Sequence, residues 1–109
     1  MAYNERLAAR IRMLLKRRRG VAELKMFGGL CFTVRGNMCC GALNDDLVVR
    51  VGPARYAQAV KEPHARPMDF TGRPLKGFVF VGPAGTTSSA GLATWVRRGL
   101  AFAESLPGK

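Results

Sequence analysis

Between residues 21 and 53 the sequence divides into four short apolar segments, each followed by residues that favour a turn. The segments read VAELKMF, LCFTV, MCCGAL and LVVRV, and glycine, asparagine, aspartate or proline lies in each break. This spacing is typical of an antiparallel β-meander. The pattern therefore predicts four consecutive strands, and it restricts the fold to one built around an antiparallel sheet.

The beginning of the chain predicts an amphipathic helix over roughly residues 4–18. Asn4 is a suitable N-cap and Gly20 a suitable stop. At about 100° per residue, one stripe carries the apolar side chains of Leu7, Ile11, Leu14 and Leu15. Arg18 falls on the same stripe, so we expect the segment KRRRG to leave the core and form an exposed basic end.

The middle of the chain predicts a short helix and further strands. GPARYAQAVKEP favours a helix that begins near Pro53 and ends at Pro63. HARPMDFTGRPLKG, rich in proline and glycine, predicts a structured loop with a short edge strand at residues 68–70. GFVFV predicts a buried strand.

A last helix is predicted over roughly residues 90–106, with Ser88 or Ser89 as its N-cap. Gly99 lies on its apolar face, and a close approach of the helix to the sheet would explain a glycine there. The predicted order is α-β-β-β-β-α-(β)-β-α. It indicates an α+β fold, a single two-layer domain over residues 1–109 in which helices pack on an antiparallel sheet of about five to six strands.

All three cysteines lie within MFGGLCFTVRGNMCCG. With a two-residue turn at Gly36 and Asn37, strand alternation places Cys31 and Cys40 on one face and Cys39 on the other. Cys39 and Cys40 would then be unable to bind one metal ion together, and their spacing is not that of a zinc knuckle. We expect ordinary buried thiols, no metal and no cofactor; a metal or reactive-thiol site is the alternative.

Charge is the one unusual bulk property, because 18 lysines and arginines against 7 aspartates and glutamates give a net charge of +11. Such a surplus favours phosphate polyanions or acidic surfaces as partners, although it also serves solubility. We predict that nucleic acid or a partner protein binds basic residues at the end of the first helix and around the Pro-rich loop: Arg10, Arg12, Lys16, Arg17, Arg18, Arg19, Arg50, Arg55, Arg66, Arg73 and Lys76. If the two groups merge, phosphate contacts would give salt-dependent nucleic-acid affinity.

Side chains that could catalyse a reaction are few. The chain has one histidine, His64, and its best candidate acid or base is Asp69 in RPMDFTGR. Arg66 and Arg73 would lower the pKa of Asp69, which favours a structural role as the anchor of the Pro-rich loop. We therefore predict no catalytic residues and no enzymatic activity.

Several segments resemble the TfoX N-terminal domain family in order and spacing, from about residue 2 to residue 107. They are KMFGGLCF, GNMCCG, DDLVVRVGP, PHARPMDFTGRPLKGFVFV and LATWVRRGLAFAESLP. The resemblance implies an α+β sheet domain of the kind seen in secretion-chaperone-like folds. Full-length members of the TfoX (Sxy) type regulate natural competence and are thought to assist the cAMP receptor protein at particular promoters. We expect a stand-alone N-terminal domain, since the sequence stops where their second domain would begin.

These observations predict a cytoplasmic, non-catalytic accessory or regulatory protein that acts in transcription. Its expected partners are nucleic acid or a transcription regulator similar to the cAMP receptor protein. The alternative is a protein-interaction or oligomerisation module, for example a homodimer that docks through the sheet face or an edge strand. We expect no membrane partner, because no apolar run approaches the roughly 18 residues that a membrane span needs.

Overall fold

A computed structural model of the chain describes residues 3–26, 28–69 and 74–108. These residues form an α+β fold in which the elements follow the predicted order: α1 (Glu5–Leu15), β1 (Val21–Met26), β2 (Gly29–Val34), β3 (Asn37–Leu43), β4 (Asp46–Arg50), α2 (Pro53–Ala59), β5 (Ala65–Asp69), β6 (Pro74–Val81) and α3 (Ser89–Ser105). A short 3₁₀ turn, Pro83–Gly85, precedes α3. The predicted fold class is confirmed.

The six strands form one sheet in the order β1-β2-β3-β4-β6-β5, and all neighbouring strands are antiparallel. The meander β1–β4 is as predicted. The stretch expected to be a loop is mostly a second hairpin, because β5 begins at Ala65 and β6 at Pro74. The predicted edge strand is confirmed and begins three residues earlier than expected, whereas Phe70 lies outside the described residues.

One face of the sheet carries the helices, and we call it the helix face. Here α1 and α3 pack on the central strands and α2 packs on β6. Phe32, Val49 and Val79 of the sheet are completely buried against Ile11 and Val96 of the helices. The opposite face, which we call the open face, holds a second apolar cluster whose buried members are Val48, Met68 and Phe80. No described helix residue belongs to that cluster.

Helix α1 begins as predicted and ends earlier. The Asn4 side chain accepts a hydrogen bond from the Leu7 N–H at 3.0 Å, which confirms the N-cap. The helix stops at Leu15, and residues 16–20 are exposed, as the basic end requires. Leu14 was wrongly placed in the core: its side chain is 41% exposed, while Ala8 takes part in the buried stripe.

The hairpin of β2 and β3 turns one residue earlier than predicted. Arg35 and Gly36 form its turn, with φ values of 51° and 82°, and Val34 pairs with Asn37. Two consecutive positive φ angles define the type I′ turn that matches strand twist. Asn37 is not part of the turn. Its buried side chain donates a hydrogen bond to the Pro107 carbonyl at 2.9 Å.

A β-bulge beyond this turn places the cysteines differently from the prediction. The register shifts between Phe32 and Thr33, so that Phe32 pairs with Cys40 and Cys31 pairs with Gly41. Cys31 therefore lies on the open face and Cys40 on the helix face, and the prediction that they share a face is wrong. Cys39 and Cys40 are both completely buried in the helix-face core, since a bulge interrupts the alternation of side chains.

Candidate cationic interface

A groove of about 770 Å³ runs between the start of α2 and the C-terminal half of α3. Gly52 makes this junction: its φ of +88° turns the chain from β4 into α2. A side chain at Gly52 would collide with the ring of Phe102, since its Cβ would lie 2.5 Å from the ring carbons. Close packing of Gly52 on Phe102 therefore positions the two helices on either side of the groove.

Three arginines line the groove: Arg55 of α2, and Arg97 and Arg98 of α3. Arg98 is held in place by an ion pair with Glu62 at 2.6 Å, and its guanidinium lies 4.4 Å from the ring of Trp95. Arg55 and Arg97 are exposed, and neither forms an ion pair within the described part of the chain. The groove thus offers two free guanidinium groups and one that is already neutralised.

The basic end, residues 16–19, lies beside the last turn of α3. Arg18 forms an ion pair with Glu104 at 3.0 Å, and Arg35 donates a hydrogen bond to the Glu104 carbonyl at 3.1 Å. Ser105, the next residue, lines the groove. The basic end and the groove therefore both lie beside the last turn of α3.

Arg10 and Arg12, which the sequence assigned to the same surface, make contacts that fasten α1. Arg12 donates two hydrogen bonds to the Glu23 carboxylate on β1, at 2.6 and 2.8 Å. This hydrogen bonding between the two side chains lowers the pKa of Glu23 and raises that of Arg12. Arg10 donates to the Thr87 carbonyl at 3.5 Å. Arg12 thus contributes little free charge to a partner.

Arg50, Arg66 and Lys76 are not among the residues that line the groove, although Arg50 lies beside one of them, Phe102. Arg66 forms an ion pair with Asp46 at 2.6 Å and lies 4.8 Å from the ring of Phe80, on the open face. The Arg50 guanidinium is 5.6 Å from the ring of Phe78 and 5.1 Å from that of Phe102. Lys76 is exposed on β6. Of the basic residues predicted around the Pro-rich loop, the structure therefore places Arg55 in the groove and Arg66 on the open face, with Arg50 between Phe78 and Phe102.

Asp69 is the exposed last residue of β5. Arg66, one of its two expected partners, binds Asp46. Arg73, the other, lies outside the described residues. The role of Asp69 as a loop anchor stays a prediction, and so does the part of Arg73 in binding.

Arg97 and Arg98 were not among the predicted binding residues. The helical pattern correctly places them away from the apolar face of α3, but such positions usually just face solvent. What makes them notable is Arg55 across the groove, more than forty residues earlier in the chain. The two adjacent arginines of WVRR were the available signal in the sequence. Only the packing of α2 beside α3 shows that they line a groove.

Two of the three thiols, Cys31 and Cys40, are in surroundings that keep them protonated. Burial raises the pKa of Cys31 to about 11. A hydrogen bond with Cys39, together with burial, raises the pKa of Cys40 well above its usual range. A thiol in this state is a poor nucleophile and a poor metal ligand at neutral pH. Among the described residues, no group of three or more His, Cys, Asp or Glu side chains is placed to hold a metal ion.

The fold and the site together define a small α+β domain with helices on one face of an antiparallel sheet and arginines gathered around the end of its last helix. The model of the TfoX N-terminal domain family matches residues 13–103. The chain belongs to the TfoX N-terminal domain family. No curated protein and no solved structure gives a match. In the described part of the chain, no helix combines the length and apolar character that crossing a membrane requires.

Proposed function

We propose that this chain is a non-catalytic accessory or regulatory protein that acts in transcription by binding nucleic acid, a transcription regulator or both. The observation that supports it best is the groove between α2 and α3, where Arg55 and Arg97 are exposed without an ion pair in the described residues. Membership of the TfoX N-terminal domain family supports a regulatory role. In this proposal the protein works in the cytoplasm and performs no chemistry of its own.

Phosphate is the ligand that suits these side chains. A guanidinium offers a planar pair of N–H donors that matches two phosphate oxygens, and it stays charged at every physiological pH. The basic end adds exposed cations beside the last turn of α3. Contacts of this kind position a nucleic acid without reading its sequence. The proposal therefore assigns promoter selectivity to the regulator, with this chain adding affinity.

Fluorescence anisotropy of a labelled DNA duplex tests the proposal, at about 50 and 200 mM salt, with and without the cAMP receptor protein. We expect binding that weakens steeply with salt. The double variant Arg55→Gln, Arg97→Gln should bind more weakly and reduce the slope of log K against log salt by about 1.8, since each phosphate contact contributes about 0.9.

The matched control is the double variant Arg6→Gln, Lys25→Gln, which removes the same two charges from exposed sites outside the groove. It should retain the affinity and the salt slope of the wild type. If the wild type binds neither the duplex alone nor its complex with the regulator, at both salt concentrations, the proposal is wrong.

The second candidate function is a protein-interaction or oligomerisation module without a nucleic-acid role. It is favoured by β1, an edge strand whose residues 22–25 are exposed, since an edge strand offers unpaired backbone groups to another chain. Light scattering distinguishes the two candidates. A homodimer that does not retain the duplex would favour the second, whereas a strict monomer that recovers only nucleic acid in a pulldown would exclude it.

A further inference from the structure

An apolar cleft of about 250 Å³ lies on the open face of the sheet. Gly29 and Gly41, which have no side chains, are among the residues that line it. Its walls are almost entirely apolar and include the side chains of Met26, Cys31, Met38, Met68, Leu75 and Phe78. The cleft is therefore bounded by two glycines and by large apolar side chains on one sheet face.

The cleft opens to the surface. Leu75, on its wall, is 41% exposed, and Leu24, which pairs with Cys31 across β1 and β2, is 40% exposed. None of the residues that line it belongs to a described helix. Exposed apolar hollows on otherwise well-packed proteins commonly mark interaction sites. Three methionines in the wall add adaptability, because an unbranched thioether can fill gaps of varied shape.

One cationic side chain lies beside the cleft without an ion pair in the described residues. The Arg50 guanidinium is 5.6 Å from the ring of Phe78 in the cleft wall. Arg66 lies over Phe80 on the same face, but its ion pair with Asp46 at 2.6 Å has no net charge. The charge next to the apolar centre is therefore that of Arg50, in a chain with a net charge of +11. An acidic partner would gain from this arrangement, and a basic partner would be repelled.

We propose that this cleft binds an apolar side chain presented by an acidic segment of a partner protein, with an aspartate or glutamate close to the anchor. The size fits one anchor, since a cavity of about 150 Å³ already accepts a benzene-sized group and this one is about 250 Å³. Arg50 beside the cleft then binds a neighbouring carboxylate.

A second copy of this chain suits the cleft less well. A stable dimer interface usually buries about 1,200 Å² or more, far beyond what one or two inserted side chains provide. Two copies would also bring together surfaces of chains that each carry a net charge of +11. The inference deepens the protein-binding part of the proposed function, on which it rests, and it does not require nucleic-acid binding.

The first step of the test is selection of peptides from a random phage-displayed library on the immobilised wild-type protein. We expect enriched sequences that combine one large apolar residue with neighbouring aspartate or glutamate. A representative enriched peptide is then synthesised and added to protein labelled with ¹³C at its methionine methyl groups. The signals of Met26, Met38 and Met68 should shift, while Met13, which is 67% exposed on α1, should not.

A matched pair of variants locates the contact. Leu75→Asp places a carboxylate at the cleft wall, and Leu14→Asp places one on α1 at a leucine with the same exposed fraction, 41%. Leu75→Asp should weaken peptide binding by roughly tenfold or more, as expected when one large apolar contact is lost. Leu14→Asp should bind as the wild type does. Circular dichroism of both variants checks that each is folded.

The remaining outcomes decide the proposal. It is overturned if no peptide is enriched, if enriched peptides lack acidic residues, or if their binding shifts Met13 rather than the cleft methionines. It is also overturned if the wild type forms a dimer that Leu75→Asp dissociates, because a second copy would then occupy the cleft. The cleft proposal and the groove proposal can fail independently of each other. The double variant Arg55→Gln, Arg97→Gln should leave peptide binding intact, and Leu75→Asp should leave duplex binding intact.

Discussion

Cys31 has a thiol that lines the cleft although only 4% of the residue is exposed. Cys39 and Cys40 lie on the other side of the same hairpin, where a bulge lets neighbouring residues both enter the core. Burial disfavours the thiolate, so proximity of the sulfur atoms does not by itself make them reactive. At the scale of the residue, these cysteines act as small apolar side chains.

This view of the thiols predicts slow alkylation of the native protein. With a pKa of about 11, Cys31 has far less thiolate at pH 8 than a free cysteine; the difference should slow its reaction with iodoacetamide roughly a hundredfold or more. The rate should rise with pH up to the Cys31 pKa. Mass spectrometry after timed quenching measures it, with urea-unfolded protein as the control. Native thiols that react as fast as unfolded ones would revive the reactive-thiol alternative.

Helix α3 crosses β3 at Gly99, directly over the carbonyl group of Cys39. A Cβ at this position would collide with that backbone oxygen, and the sheet cannot move aside without disturbing its ladder. The contact explains why a residue of low helix propensity lies in the middle of a 17-residue helix. At the scale of the element, this crossing sets the distance between the helix layer and the sheet.

Gly99→Ala should therefore lower the free energy of unfolding. Alanine gains about 1 kcal/mol of helix propensity, but overpacking against a backbone atom typically costs about 1–3 kcal/mol, so the net loss should reach about 2 kcal/mol at most. Urea unfolding followed by circular dichroism measures it. Gly108→Ala is the matched control, because its Cβ would make an ordinary contact, 3.6 Å from that of Arg35. A stabilised Gly99→Ala variant would contradict the packing argument.

The elements that the sequence predicted well are those specified by neighbouring residues. Asn4 and Ser88 each cap a helix through a backbone N–H three residues ahead, and the meander follows from turn residues between apolar segments. The predicted register of the β2–β3 hairpin was wrong. Asn37, expected in the turn, instead bonds Pro107, 70 residues away. Distant contacts of this kind leave no local pattern.

The same reason limited prediction of the candidate site. The basic end was predicted correctly as an exposed segment, because Arg18 falls on an apolar stripe that it cannot join. That Arg97 lies across a groove from Arg55 depends on how α2 and α3 pack at Gly52 and Phe102. Composition gave the sign of the charge, and tertiary structure gave its position.

In the described part of the chain, ion pairs compensate most of the acidic residues but only a few of the basic ones. Four of the seven acidic residues form ion pairs with arginines, namely Glu23, Asp46, Glu62 and Glu104. The pairs join α1 to β1, β4 to β5, and α3 to its neighbours, so the acids that exist are used to fasten elements together. At the scale of the whole molecule, the surplus of +11 is left on a body measuring only 31 × 29 × 27 Å.

This surplus should make the folded protein more stable as salt is added. Charges in a molecule of this size lie within about three screening lengths of one another at 0.1 M salt, where the Debye length is about 10 Å, and at 0.01 M they are hardly screened because it is about 30 Å. Self-repulsion of a highly charged compact state is thereby reduced. We expect Tm to rise by several degrees between these salt concentrations, since about 1 kcal/mol corresponds to about 4–8 °C in a domain of this size.

Differential scanning calorimetry in sodium chloride measures this rise, and a variant with fewer charges gives the control. Arg17→Gln, Arg19→Gln lowers the net charge by two at exposed positions of the basic end. It should have a higher Tm than the wild type at low salt and a smaller rise as salt is added. A Tm that falls with salt would mean that the four ion pairs outweigh the repulsion. The surplus charge would then not be a net cost to the stability of the fold.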